Sequence, residues 1–392
     1  MRLSYKTTMF SCFVGYIVQA VVNNFAPLLF VMFQDIYGIP LSKITLLVTV
    51  NFLVQLTVDL LGAGFIDKIG YRASILTAHA CSSAGFLLLT VLPEVMDPFA
   101  GILLSVIVYA VGGGIIEVLI SPIMESCPTE HKEKAMSLLH SFYCWGHVGV
   151  VLLSTLFFRV FGLGQWRILA LLWAVLPLLN GAVFIKTPIA PLISSGEKGM
   201  TVKELFGNSM FWLFMIMMVC SGASELSVSQ WASAFAERAL GISKTAGDLA
   251  GPMAFAVLMG SARVFYGKYG EKINLGKFMI FSSSFCILAY LLMSAAPSPL
   301  LSLFGCALSG ISVGILWPGT FSKASASLRG GGTAMFAMLA LAGDLGCSAG
   351  PSLVGAVSDL WEGDMRRGIL AAAVFPVLLT LCLLAGFRKN KI

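Results

Sequence analysis

Twelve apolar runs, each near the length that crosses a bilayer, follow one another along this chain with only short polar gaps between most of them. They cover roughly 8–33, 42–66, 73–93, 99–123, 134–160, 166–185, 208–236, 250–267, 276–296, 299–321, 332–358 and 367–387. About 20 apolar residues in a helix span a hydrocarbon core about 30 Å thick. In that medium every backbone N–H and C=O has to be satisfied internally, which leaves the helix as the structure for runs of this kind. The expected fold is an all-α membrane protein of twelve transmembrane helices. The gaps carry turn chemistry, as in "YGIPLSK", "PEVMDP", "CPTEHKEK", "AAPSPL" and "WEGDMRR". Composition decides one further point: with 11% charged residues and a mean hydropathy of +0.90, against about 25% charged in soluble domains, the apolar surface exceeds what a soluble core can hide. The opening "MRLSYKTTMF" leaves no room for a cleavable signal, and the first apolar run is expected to remain as span one.

Loop charge sets the expected orientation. With both termini inside, 17 Lys and Arg residues fall on the cytoplasmic side and 7 on the other, and Arg263 lies within span eight. The expected topology has both termini in the cytoplasm of a bacterial cell and the chain in its membrane. A net charge of +6 reflects this loop bias and points to no nucleic acid. The nine cysteines are scattered, mostly in apolar runs, without CxxC or metal-ligand spacing. They read as small apolar packing residues, so no metal and no cofactor is expected. No nucleophile triad or phosphate-binding loop is present, so an enzyme is not expected.

The longest gap, "KTPIAPLISSGEKGMTVKELFGNS", divides the chain into an N-terminal half (1–186), a cytoplasmic linker (187–207) and a C-terminal half (208–392). The halves repeat weakly. "GFIDKIGYR" at 64–72 matches "VFYGKYGEK" at 264–272, 200 residues on, and "GGGIIEVLISP" ending at Pro122 matches "GISVGILWP" ending at Pro318. His147 lines up approximately with Asp344. A parallel repeat of six spans fits a transporter whose halves rock about a central site, one chain enclosing the pathway and working as a monomer.

Ionisable and amide side chains inside the spans are the candidate site, because such residues are costly in a bilayer and usually functional. Glu117 lies about 12 Å into span four, at 1.5 Å per residue. Gly112, Gly113 and Gly114, one turn away, allow either close helix packing or approach of a solute. Glu117 is expected to bind solute or carry a proton, with a buried structural carboxyl as the bland alternative. Asn51, Gln55 and Asp59 share a face of span two. Asp59 is either an interhelical lock or a coupling carboxylate. Gln19 and Asn23 stand one turn apart on span one, and their amides suit hydroxylated ligands. Span five offers His140, Tyr143, Trp145 and His147. Glu225 is the main ligand and proton-coupling candidate of the C-terminal half, followed by Gln230 and Trp231, where Trp231 is either a stacking platform or an interface anchor. Pro318 is expected to break span ten after Trp317, and such breaks line cavities. Asp344 sits among small residues in "AGDLGCSAGP". Arg263 needs a carboxylate partner and is expected to act as a gate or lock.

The "DKIGYR" turn resembles a degenerate form of the loop motif between spans two and three of the major facilitator superfamily, with Asp67, Gly70 and Arg72 kept and the usual leading glycine falling on Ala63. More narrowly, "NN" at Asn23 and Asn24, "GGGIIE…SP" and "LLHSFYCWG" resemble the fucose–galactose–glucose proton symporter family. The resemblance implies that Glu117 belongs to a sugar and proton site; Asn23, Asn24, His140 and Glu225 are expected to form the site with it, at least one of His140 and His147 binding solute or carrying a proton, and Asp67 and Arg72 are expected to have a gating or structural role. The resemblance also shows where the pocket departs. The family's coupling aspartate falls on Pro27, its asparagine after the glutamate on Ser121, its sugar-binding glutamine on His140 and a further asparagine on Tyr143. The expected function is therefore secondary active transport of a small polar solute, a sugar or sugar-like compound, by proton symport rather than with Na⁺. Proton-coupled efflux of drugs or amphipathic molecules is the alternative.

Overall fold

The computed structural model describes residues 4–39, 41–190, 199–232, 235, 241, 251 and 253–388 of the 392. The side chains of several residues within this set, Asp67 among them, also lie outside what is described.

The described chain is helical throughout. In order it forms α1 (Tyr5–Asn24), a 3₁₀ turn (Ala26–Leu29), α2 (Phe30–Tyr37), α3 (Leu41–Ile69), α4 (Tyr71–Val95), α5 (Pro98–Ser126), α6 (Lys132–Phe161) and α7 (Trp166–Lys186). After the linker come α8 (Val202–Phe206), α9 (Ser209–Ser229), α10 (Ala254–Tyr269), α11 (Leu275–Ala295), α12 (Pro299–Val313), α13 (Leu316–Ser327), α14 (Gly332–Leu360), α15 (Met365–Ala372) and α16 (Val374–Arg388). Among the described residues ten segments are long and apolar enough to cross a membrane. The remaining two expected spans appear as α3, apolar over Thr49–Gly62, and α10.

Helix starts follow from side chains that satisfy the first free N–H groups. Asp97 accepts from Ala100 N at 2.9 Å with Pro98 in the first turn of α5. Asn208 caps α9 and Asn274 caps α11 in the same way. Thr201 and Glu204 form a capping box on α8. Gly70 joins α3 to α4 at φ +92, a conformation a side chain would strain.

Two expected spans are interrupted. The first breaks at Phe25–Leu29, where Pro27 lacks an N–H and the chain tightens to a 3₁₀ turn. The tenth breaks at Gly314–Ile315, so Trp317 and Pro318 open α13 rather than close the preceding helix. Proline fits a helix's first turn, where N–H groups have no intrahelical partner.

The chain forms two compact units. The first comprises Met1–Pro128, Trp145–Gly199 and Gly332–Ala337, and the second Thr129–Cys144, Met200–Gly331 and Met338–Ile392. The first thus takes the opening of α14, and the second takes the opening of α6.

In the first unit, aromatic residues close the core near the α1 break. Phe25 meets Phe86 edge-on at 5.9 Å, Phe86 stacks on Tyr109 at 5.2 Å, and Phe33 meets Trp166 edge-on at 5.7 Å. Leu152, Leu153, Leu156 and Val160 are exposed along α6, as lipid-facing side chains are. The three glycines of α5 serve helix packing. A Cβ at Gly112 would fall 2.5 Å from Ala78 O, and one at Gly114 would fall 2.9 Å from the Val58 side chain.

In the second unit, α9 and α14 approach as closely. A Cβ at Gly222 would fall 2.2 Å from Gly343 O, and one at Gly346 would fall 2.0 Å from Val219 O. Asp344 lies between Gly343 and Gly346 along this helix contact.

Candidate functional site

The first unit gathers most of the polar residues of spans one, two and four. The Gln19 amide on α1 donates to Glu117 Oε2 on α5 at 2.6 Å. One turn on, Asn23 Oδ1 accepts from Gln55 Nε2 at 2.7 Å and from Asn51 Nδ2 at 3.2 Å, both on α3. Asn24 turns back on its own helix, donating to Ala20 O at 2.8 Å. Asp59, the next member of the α3 stripe, is fully buried, and a carboxylate oxygen of it lies within 4.8 Å of one of Glu117. Two carboxylates and four amides thus form one connected polar face in an apolar body.

The departures from the resembled family have structural counterparts here. Pro27 lines a small cavity of about 20 Å³, room for one water-sized group, with Val22, Asn23, Asn51, Phe52 and Tyr109. Ser121 Oγ is hydrogen-bonded to Tyr16 OH at 2.9 Å, a contact that fixes α1 against α5.

Arg72 has a structural place. Its guanidinium donates to Phe184 O, Ile185 O and Thr187 O at 2.6–2.7 Å, satisfying the carbonyls that α7 leaves open at its C-terminus, where a cation is favoured. Neighbouring Tyr71 is hydrogen-bonded to Thr333 at 2.5 Å, tying the opening of α14 to this unit.

Sequence reasoning passed over a second buried polar chain. Asn180 Nδ2 on α7 reaches His79 Nε2 on α4 at 2.9 Å and Ser11 O on α1 at 3.0 Å. His79 Nδ1 is 2.8 Å from Ile75 O, so Nδ1 carries the proton and Nε2 accepts from the amide. The signal was available: each is a polar residue inside an apolar run.

In the second unit the carboxylate expected for Arg263 is Glu225. Nη2 donates to Glu225 Oε2 at 3.0 Å, with the arginine 3% exposed and the glutamate 14%. Nε donates to Gly314 O at 2.9 Å, and Nη1 to His140 O at 3.2 Å and to Cys144 Sγ at 2.9 Å. Glu225 is engaged with the guanidinium, and His140 lies in the same cluster with its ring 5.8 Å from that of Phe321. Tyr143 is half-buried one turn along α6. Gln230 is exposed at the C-terminus of α9. Trp231 donates its ring N–H to Pro351 O at 2.9 Å and packs on Gly355, which is an anchoring contact. Trp317 lies over Gly343, where a Cβ would come 2.2 Å from its ring. Asp344 is half-buried on α14 and has an interaction partner. The Asp67 side chain is outside the described residues.

Spans of this number, carrying ionisable residues turned into the protein rather than toward lipid, define a polytopic membrane protein. The chain belongs to the Major Facilitator Superfamily, whose profile it matches over residues 8–351, and it has the twelve-helix fold of that superfamily. No curated protein sequence matches it. Among solved structures it is similar to a Major Facilitator Superfamily transporter, FucP, in the outward conformation, with a TM-score of 0.82 at 14% identity over 97% of this chain and 99% of that one. FucP is the fucose:proton symporter of E. coli. The proton:xylose symporter XylE bound to 6-bromo-6-deoxy-D-glucose gives 0.81 at 12% identity over 97% and 95%. The human organic anion transporter MFSD10 gives 0.73 at 14% over 97% and 99%. At these identities the likeness is one of fold.

Proposed function

We propose that the chain is a secondary active transporter of a small polar, sugar-like solute, moved together with a proton by alternating access. The observation that carries this reading is the Asp59–Glu117 pair. Two carboxylates within 4.8 Å in an apolar body are not both ionised without a cation between them, so the pair is suited to pass between a protonated and a deprotonated state. Gln19, Asn23, Asn51 and Gln55 surround it with amides, which offer donors and acceptors to hydroxyl groups. Asp59 then supplies the acidic group that Pro27 cannot. The fold likeness to two proton:sugar symporters supports the same reading. H⁺ is favoured over Na⁺ because the Gln19 amide donates to Glu117, a contact that a cation cage of oxygens would not present. The protein would act as a monomer in a bacterial cytoplasmic membrane.

Efflux of amphipathic molecules is the second reading. Such a pocket would be larger and more apolar than the one-water cavity beside Pro27.

The test is uptake of labelled hexoses, deoxyhexoses, amino sugars and amphipathic compounds into liposomes holding the purified protein, with and without an inward proton gradient. Gradient-driven sugar uptake, lost in Glu117→Gln, is the expected result. Uptake that is indifferent to the gradient and retained by Glu117→Gln overturns the proton role. Accumulation of amphipathic compounds only under an outward-driving antiport gradient selects the second reading. Uptake that follows a Na⁺ gradient replaces the coupling ion.

A further inference from the structure

The break in α1 adjoins the cavity of about 20 Å³, and Asn23, Pro27, Asn51 and Phe52 are among its walls. All four belong to the first unit. Pro27 and Phe52 are exposed and Asn51 is buried, so the lining reaches from the surface of the unit to the amide stripe of α3. Asn23 Oδ1 is taken by two donors, Gln55 Nε2 and Asn51 Nδ2. That contact sets the direction of the Asn51 amide, because its carbonyl oxygen turned toward Asn23 Oδ1 would be repelled. Asn51 Oδ1 is left at the other end. It is buried and, among the described residues, has no hydrogen-bond partner, on a residue that is 6% exposed. A buried acceptor therefore stands in the wall of a cavity with room for one water-sized group.

A buried acceptor left without a donor is costly. An amide oxygen can only accept, so the group that suits it carries a hydrogen on oxygen or nitrogen. A ketone, carboxylate or phosphate oxygen would leave it unpaired. Phe30, Leu47 and Tyr109 complete the walls beside Phe52 and offer a full charge no compensation, so a neutral hydroxyl fits better than an ammonium. We propose that Asn51 is a specificity-determining residue, whose carbonyl oxygen accepts a hydrogen bond from one hydroxyl of the solute seated in the cavity beside Pro27. A site built to hold a ligand hydroxyl rejects the analogue that lacks it far more strongly than an apolar pocket rejects a change of size. The proposal rests on reading the chain as a transporter of a hydroxylated solute, and it names the residue that selects that solute. An ordered water is the other source of the same O–H, and the two sources give different results below.

The test uses the full chain in liposomes. The labelled probe is the hexose or deoxyhexose that the parent takes up best, and the competitors are that sugar and its analogues, each lacking a single hydroxyl. The readout is the concentration of each competitor that halves uptake. In the parent, one analogue is expected to compete about tenfold more weakly than the full sugar, or worse. In Asn51→Leu that one penalty should vanish while the penalties of the other analogues persist, a pattern that general damage to the fold does not produce. Asn23 keeps its Gln55 donor in this variant. Ala26→Val is the second variant. It leaves the amides intact and adds methyl groups to a residue of the cavity wall, and it should bring the full sugar down to the level of the same analogue. If every penalty is the same in Asn51→Leu as in the parent, Asn51 reads no hydroxyl and the proposal falls. A uniform weakening of all competitors in both variants assigns the donor to an ordered water and also overturns it. Sugar uptake with either of these patterns sinks this proposal alone, whereas a parent that takes up no sugar sinks it together with the reading on which it rests.

Discussion

At the residue scale, the Asp59–Glu117 pair and the Arg263–Glu225 pair ask different things of their acids. Glu117 is held by an amide and has a second carboxylate nearby, and Asp59→Asn tests whether the pair works as the proposed proton-coupling unit. A neutral amide removes the like charge beside Glu117 and, on the proposed mechanism, the proton the pair would share. Gradient-driven uptake should therefore fall at least as far as in Glu117→Gln, while counterflow exchange, which needs no net proton movement, persists. Loss of both activities would make Asp59 a structural lock instead. Glu225 is in a different position, because it is one partner of a buried ion pair with Arg263. Removing one partner of a buried ion pair costs about 3–5 kcal/mol. Arg263→Ala is accordingly expected to lower the thermal midpoint clearly, and the double change Arg263→Ala with Glu225→Ala to recover part of the loss. Additive losses would argue that the two residues act apart. The presence of a carboxylate partner for Arg263 was legible from the cost of a buried guanidinium. Which carboxylate it was could not be read, since Glu225 lies 38 residues away on another helix and only packing brings them together.

At the scale of elements, glycines separate contacts that the sequence could only pose as alternatives. "GGG" on α5 allowed either packing or solute approach, and the close-lying Ala78 carbonyl and Val58 side chain make it packing. The same logic gives a pair of opposite predictions. Gly346→Ala drives a methyl to within 2.0 Å of Val219 O, and backbone cannot yield as a flexible side chain can. A loss of about 1–3 kcal/mol is expected, read as a lower thermal midpoint. Gly149→Ala in α6 meets nothing within 4 Å and should stabilise by about 0.5–1 kcal/mol through helix preference alone. An outer contact supplies a pH prediction. Hydrogen bonding to Lys134, with the charges of His131 and Lys134 nearby, holds the Glu271 carboxyl below its ordinary value of 4.5. A group with its folded pKa depressed contributes stability above its unfolded pKa and loses it as pH falls through the folded value. Glu271→Gln should thus lower the thermal midpoint slightly at neutral pH, with the difference from the parent vanishing below that range. Because the pair is exposed, salt should shrink it as well. The helix interruptions were partly legible. Pro318 marked a break, but its position followed from proline's fit to a first turn, which puts the break before Trp317 rather than after it.

At the scale of the molecule, the repeat seen in short motifs extends to whole elements: α6 starts at Lys132 and α14 at Gly332, and 332 − 132 = 200, the offset of the "DKIGYR" turn from its partner. Counted from those starts, Asp344 corresponds to Cys144 rather than to His147. The two helices also share a behaviour no motif announced, since each gives its opening residues to the other compact unit. Hydropathy fixed the number of spans because each run had to bury its own backbone bonds, and it was silent on which helices exchange ends, because that depends on individual contacts such as Tyr71–Thr333 and Ser137–Arg263. Orientation rests on loop charge alone, so it calls for its own experiment. Seventeen Lys and Arg on one side against seven on the other predict that the α8 segment is cytoplasmic and the turn at Gly162–Gln165 is external. Lys203→Cys and Gly164→Cys, each in a background without the native cysteines, place one thiol on each side at exposed positions. With a membrane-impermeant maleimide on intact cells, Gly164→Cys should label and Lys203→Cys should label only after permeabilisation. The reverse pattern would invert the chain in the membrane, and with it the side from which Arg72, Lys134 and the base of α10 meet solvent.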